Sequence, residues 1–112
     1  MAIQYKVLGQ SAPSASTDTT AYTVPAGTGN YAVVSTINIT NTGSSFTDEI
    51  RIAVVPSGQS LSSKHYIVYN VGVSVASSQS YTLGIGLQPE DVINVWSTLG
   101  TSSFSIFGTE NS

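Results

Sequence analysis

The chain has no cysteine, a single histidine, a single tryptophan, and only three basic and six acidic side chains among 112 residues. Each shortage removes a class of function. Without cysteine there is no disulfide framework, no thiolate zinc site and no thiol nucleophile. Charged residues make up 8% of the chain, against roughly 25% in an average soluble domain. The basic residues Lys6, Arg51 and Lys64 lie far apart and the formal net charge is -3. Phosphate backbones require clustered Lys and Arg, so a nucleic-acid partner is not expected. So little charge also leaves little self-repulsion between copies, as suits a protein that assembles. The opening MAIQYKVLGQ lacks a basic start followed by a long apolar run, so no signal peptide is expected. No apolar run approaches the roughly 18 residues that cross a bilayer. The protein is therefore expected to be made in a cytoplasm, to have no membrane partner, and to stay soluble until it assembles. Without a secretion signal, Asn38-Ile39-Thr40 matches the glycosylation pattern by chance.

Ser (19 residues), Thr (13) and Gly (10) fill the gap, a composition that disfavours helix and suits strands joined by turns. Apolar residues alternate with polar ones at period two over most of the chain, the signature of half-buried strands. Ile3, Tyr5 and Val7 give a first strand, and SAPSASTDT follows as a loop or flexible arm. Tyr22 and Val24 mark a short strand ending at Pro25-Ala26-Gly27. From Tyr31 the alternation sets Tyr31, Val33, Ser35, Ile37 and Ile39 on one side, with Ala32, Val34, Thr36 and Asn38 on the other. Ile50, Ile52 and Val54 form the next inward set, stopped by Pro56-Ser57-Gly58. His65 to Tyr69 resumes extended structure, and Tyr81, Leu83, Ile85 and Leu87 alternate with Thr82, Gly84 and Gly86. Val92 to Thr98 looks apolar on both faces, and Phe104, Ile106 and Gly108 alternate to the end. About eight short strands with turn signals roughly every ten residues predict an antiparallel β-sandwich, jelly-roll or immunoglobulin-like. The sequence reads as one domain over 1–112, with 1–18 as an N-terminal strand plus the Ser/Ala-rich arm.

Candidate chemistry is sparse. Ser62 or Ser63 beside His65 could suggest a serine nucleophile, which needs a base in hydrogen-bond reach and a third group to orient it. In a strand Ser63 and His65 share a face without that geometry, and no G-x-S-x-G elbow is present. His65 is expected as a partly solvated polar residue at the mouth of a strand, and no catalytic residue is assigned. The acidic pairs Asp48-Glu49 and Glu90-Asp91 point to opposite sides of an extended chain and read as turn residues entering strands. No metal or cofactor site is expected. Among the aromatic residues, Tyr66, Tyr69 and Trp96 are the candidates for a sugar- or receptor-binding surface.

The runs YTVPAG, IRIAVVPSG, the Leu87-to-Ile93 turn-and-strand element with Asp91, and the ending FSIFGTE resemble small structural proteins of tailed bacteriophages. The resemblance covers about residues 19 to 110 and implies a β-sandwich component of the virion. The function it implies is a non-enzymatic capsid cement (decoration) protein, and no functional residue carries over, because this kind of protein works through its surface. As the leading expectation, it would bridge subunits of the major capsid protein on the capsid surface and associate with itself as a trimer. The alternative is a tail or fibre module that binds a host surface glycan or another tail protein. Candidate interface residues are Ile3, Tyr5, Lys64, His65 and Tyr66, and the segment Ala2 to Val7 is expected to pair with the sheet edge of another subunit.

Overall fold

The computed structural model describes residues 3–112. Eight strands follow in chain order: β1 (Ile3–Ser11), β2 (Thr19–Thr23), β3 (Tyr31–Asn41), β4 (Asp48–Val55), β5 (Tyr66–Val73), β6 (Ser77–Leu87), β7 (Val92–Ser97) and β8 (Ser102–Asn111). A single 3-10 turn, Ser63–His65, precedes β5. The strands form two four-stranded sheets, β1-β8-β3-β6 and β2-β7-β4-β5, and every pairing between them is antiparallel. Every connection except β4 to β5 passes from one sheet to the other, which is jelly-roll topology and not the immunoglobulin-like arrangement. The inward residues of both sheets make one core, in which Val24, Ile37, Ile50, Ile93, Phe104 and Ile106 are 0–1% exposed. Burying such a side chain contributes about 1.5–3 kcal/mol.

The alternation predicted for β3 breaks in the middle. Ala32 and Val34 are buried, and so are Ile37 and Ile39, three residues further along instead of two. The register against both β6 and β8 slips between Val34 and Thr36. Against β8 the extra residue is Ser35 of β3, whereas against β6 the two residues Leu83 and Gly84 stand across from Ser35, and this bulge changes which face the rest of β3 presents. Tyr31 and Val33 therefore face outward while Ile37 and Ile39 face the core, so the single-phase expectation is corrected.

The N-terminal expectations also change. Ile3–Ser11 pairs with β8 of its own chain, from Ile3 opposite Asn111 to Ser11 opposite Phe104. The residues 3–7 of the proposed donor segment thus complete their own sheet; Ala2 lies outside the described residues. The Ser/Ala-rich stretch is tied down too. Pro13 is buried, Ala15 bridges Ser97, and Ser16 donates from its backbone to Ser97 O (2.9 Å) and from its hydroxyl to Thr98 O (3.2 Å). Backbone groups lodged against a strand end find partners there, which a free arm would leave to water.

Candidate binding surfaces

On the outer face of the β2-β7-β4-β5 sheet, Arg51 of β4 stands opposite Trp96 of β7. Its guanidinium lies 4.3 Å from the Trp96 ring centroid and 4.5 Å from that of Tyr69 on β5. Asn70 holds it in place by accepting from Nε at 2.7 Å. Tyr66 meets Tyr69 edge to face, with centroids 4.9 Å apart and planes at 75°. One cation between two rings and a T-shaped pair thus fix a row of aromatic side chains. The row exists because β5 is irregular. Its register against β4 slips twice, and Asn70 takes a φ of 53°, so Tyr69 turns outward while Val68 and Val71 pair with Ile52 and Ile50.

Beside the row lies an open cavity of about 580 Å³ lined by Tyr66, Tyr69, Leu61, Ser62, Ser63 and Asp18. Tyr66 and Tyr69 come from the β5 edge of the sheet, whereas Asp18 directly precedes β2 at the opposite edge. The serines and Leu61 belong to the β4–β5 loop. His65 braces that loop: Nδ1 accepts from the Ser62 backbone at 3.0 Å, so Nε2 carries the hydrogen and donates to Gln59 Oε1 at 2.9 Å. His65 is only 6% exposed. The expectation of a partly solvated histidine is corrected, because two loop groups occupy both ring nitrogens and draw the ring inward. Neither Ser62 nor Ser63 offers it a hydroxyl, so the serine–histidine pairing does not form.

The outer face of the β1-β8-β3-β6 sheet is different. Ile3, Tyr5 and Val7 of β1 sit opposite Asn111, Thr109 and Phe107 of β8, and Val33 of β3 sits opposite Thr109. Ile3 is 66% exposed and Tyr5 71%, with Val7 and Val33 also open to solvent. Tyr5 and Ser35 share a hydrogen bond of 2.9 Å across this face. The outward positions that continue it are Tyr31, Gln10 and otherwise Ser, Thr and Asn, with Gly84 and Gly86 leaving β6 flat. Among the described residues it carries no charge, because Lys6 turns to Glu110 on the inner side.

The five interface candidates therefore do not form one surface. Ile3 and Tyr5 lie on one sheet, Lys64 and Tyr66 belong to the loop and strand on the other, and His65 is buried. Arg51 and Asp18 were missed as site residues. Arg51 was legible as outward, since it alternates with Ile50 and Ile52, but its partners depend on β4 lying between β5 and β7.

The aspartate of each acidic pair is structural. Asp48 is fully buried and accepts from the Ser97 hydroxyl, Ser102 Oγ (2.6 Å) and Leu99 N (2.8 Å). Asp91 accepts from Ser57 N and Gln88 N, closing the turn before β7. Among the described residues no group of three or more His, Cys, Asp or Glu side chains could hold a metal. Comparison with family models, with curated proteins and with solved structures finds no match for this chain.

Proposed function

We propose that this chain is a non-enzymatic structural protein of a phage virion, a capsid cement that bridges subunits of the major capsid protein. What carries this reading is the uncharged outer face of the β1-β8-β3-β6 sheet, with Ile3, Tyr5, Val7 and Val33 exposed on it. Charge depletion together with aromatic and aliphatic side chains marks the centre of protein interfaces. Stable ones bury about 1,200–2,000 Å². The mechanism is adhesive: a shell cannot expand or fracture without breaking every contact that spans its subunits, and many modest contacts suffice when repeated. Self-association, as a trimer, would use the same kind of surface.

Copy number in purified virions tests the location. A number that scales with the capsid subunits supports the cement role, and a number matching only the tail's symmetry overturns it. Tyr5→Glu with Val33→Glu tests the surface itself. Both side chains are exposed, so the variant is expected to fold, while capsid binding measured by co-sedimentation falls at least tenfold. Undiminished binding places the contact elsewhere. The second reading, a tail or fibre module for a host glycan, is favoured by the aromatic row and cavity on the opposite sheet.

A further inference from the structure

We infer that the cavity between Tyr66, Tyr69, the 61–63 loop and Asp18 is a binding site for a neutral, hexose-type glycan. The inference deepens the second reading and rests on the groove alone, so the fate of the capsid-binding face does not decide it.

Three observations point to this ligand class. The first is the mixed lining. Tyr66 and Tyr69 meet at 75° and form an aromatic corner, and the polar residues Ser62, Ser63 and Asp18 complete the same lining. A pyranose has that double character, with a C–H face that packs on an aromatic ring and a rim of hydroxyls that need polar partners. A purely apolar ligand would leave the carboxylate desolvated at a cost.

The second is the Asp18 carboxylate. Asp18 is exposed and makes no hydrogen bond or ion pair with another described residue. It is an acceptor-only group with two oxygens, so two adjacent sugar hydroxyls can donate to it. The same charge repels phosphorylated, sulfated or carboxylated ligands.

The third observation excludes cations. An aromatic corner with a carboxylate could also serve a quaternary ammonium group, through the ring quadrupoles. Here Arg51 already lies 4.5 Å from the Tyr69 centroid. Its positive charge uses the attraction that a second cation would need and opposes that cation directly. Arg51 also fixes Tyr69 before any ligand arrives, and a ring that is already ordered loses less entropy on binding. At about 580 Å³, the groove falls within the range of small-molecule sites, about 300–1,000 Å³.

The test is a glycan array carrying neutral, sialylated and sulfated glycans, followed by NMR titration of the full chain with the best neutral binder and with choline. The expected result is binding to a subset of neutral glycans, with shifts at Ser62, Ser63, Tyr66 and Tyr69. Tyr69→Ala and Asp18→Asn should each weaken affinity about tenfold, the scale of losing one ring contact or one charge-assisted hydrogen bond. Phe46→Ser, which removes an exposed aromatic ring outside the groove, should leave affinity unchanged. Should Tyr69→Ala perturb folding, Asp18→Asn still decides, because Asp18 is exposed and makes no hydrogen bond or ion pair with another described residue. The proposal is overturned if no neutral glycan binds, if choline or anionic glycans bind in preference, or if Asp18→Asn retains full affinity.

Discussion

At the scale of single residues, the most consequential group is a charge held between the sheets. Glu110 of β8 is 7% exposed. It accepts from the Tyr22 hydroxyl of β2 at 2.6 Å, pairs with Lys6 of β1 at 2.9 Å and accepts from Ser112 at 3.2 Å. The Tyr22 hydrogen bond, with Lys6 alongside, holds the Glu110 carboxyl below the usual glutamate range despite the opposing effect of burial. Burial first, and then the carboxylate beside it, raises the Tyr22 phenol well above the ordinary tyrosine value. The signs place the stabilisation between the two ends of the pH scale and remove it at each end. Because the folded Glu110 binds its proton less readily than the unfolded one, its contribution is complete above about pH 4.3 and is lost as pH falls through the lower folded value. Tyr22 contributes fully below about pH 10, and its share declines as pH rises beyond that. Tyr22→Phe removes the strongest of these bonds and is expected to cost about 1.5–3 kcal/mol at neutral pH. Urea unfolding between pH 3 and 7 checks it: the variant should lose less stability than wild type on acidification, and parallel curves would show that Glu110 is not held by Tyr22.

At the scale of elements, the bulge in β3 depends on a glycine in its neighbour. Gly108 lies opposite Val34, and a Cβ placed on it would come within 2.1 Å of Val33 O and 3.0 Å of Val34 Cα. The obstructing atoms are backbone, so they cannot swing aside as a side chain could. Gly108→Ala is expected to destabilise by about 2–3 kcal/mol, lowering the thermal midpoint by about 10 °C. An unchanged midpoint would mean that the bulge can relocate. The same bulge shows where sequence reasoning stops. Period-two alternation was enough to locate the strands and to face Ile50, Ile52, Phe104 and Ile106 inward, because each pattern stays in phase. It could not place Ile37 and Ile39, since Ser35 looks like any polar residue in an alternating strand and the slip is set by pairing with β6 and β8. Asn70 hid the turn of Tyr69 in the same way. The aromatic row was thus legible as residue types, but its assembly around Arg51 was not. Asp18 gave no signal at all, because its role depends on a loop 43 residues later, at Leu61, folding back to face it.

At the scale of the whole molecule, the sandwich separates the two proposed surfaces. One lies on the outer face of each sheet, and packed sheets stand about 10 Å apart with the core between them. Sites at such separation with no shared partner act independently. An assembly that docks through the uncharged face would turn the groove of every copy outward, and many weak sugar contacts would then act together, gaining about 10²–10⁴ in avidity. This predicts a dissociation between two measurements. Tyr5→Glu with Val33→Glu should leave the affinity of a single chain for a neutral glycan within about twofold, yet abolish retention of reconstituted particles on a glycan-coated surface. Asp18→Asn should do the reverse to the first measurement, weakening each site, while capsid co-sedimentation stays intact. If the charged variant changes single-site affinity instead, the two faces are coupled through the core and the sandwich is not the insulator that its layering implies.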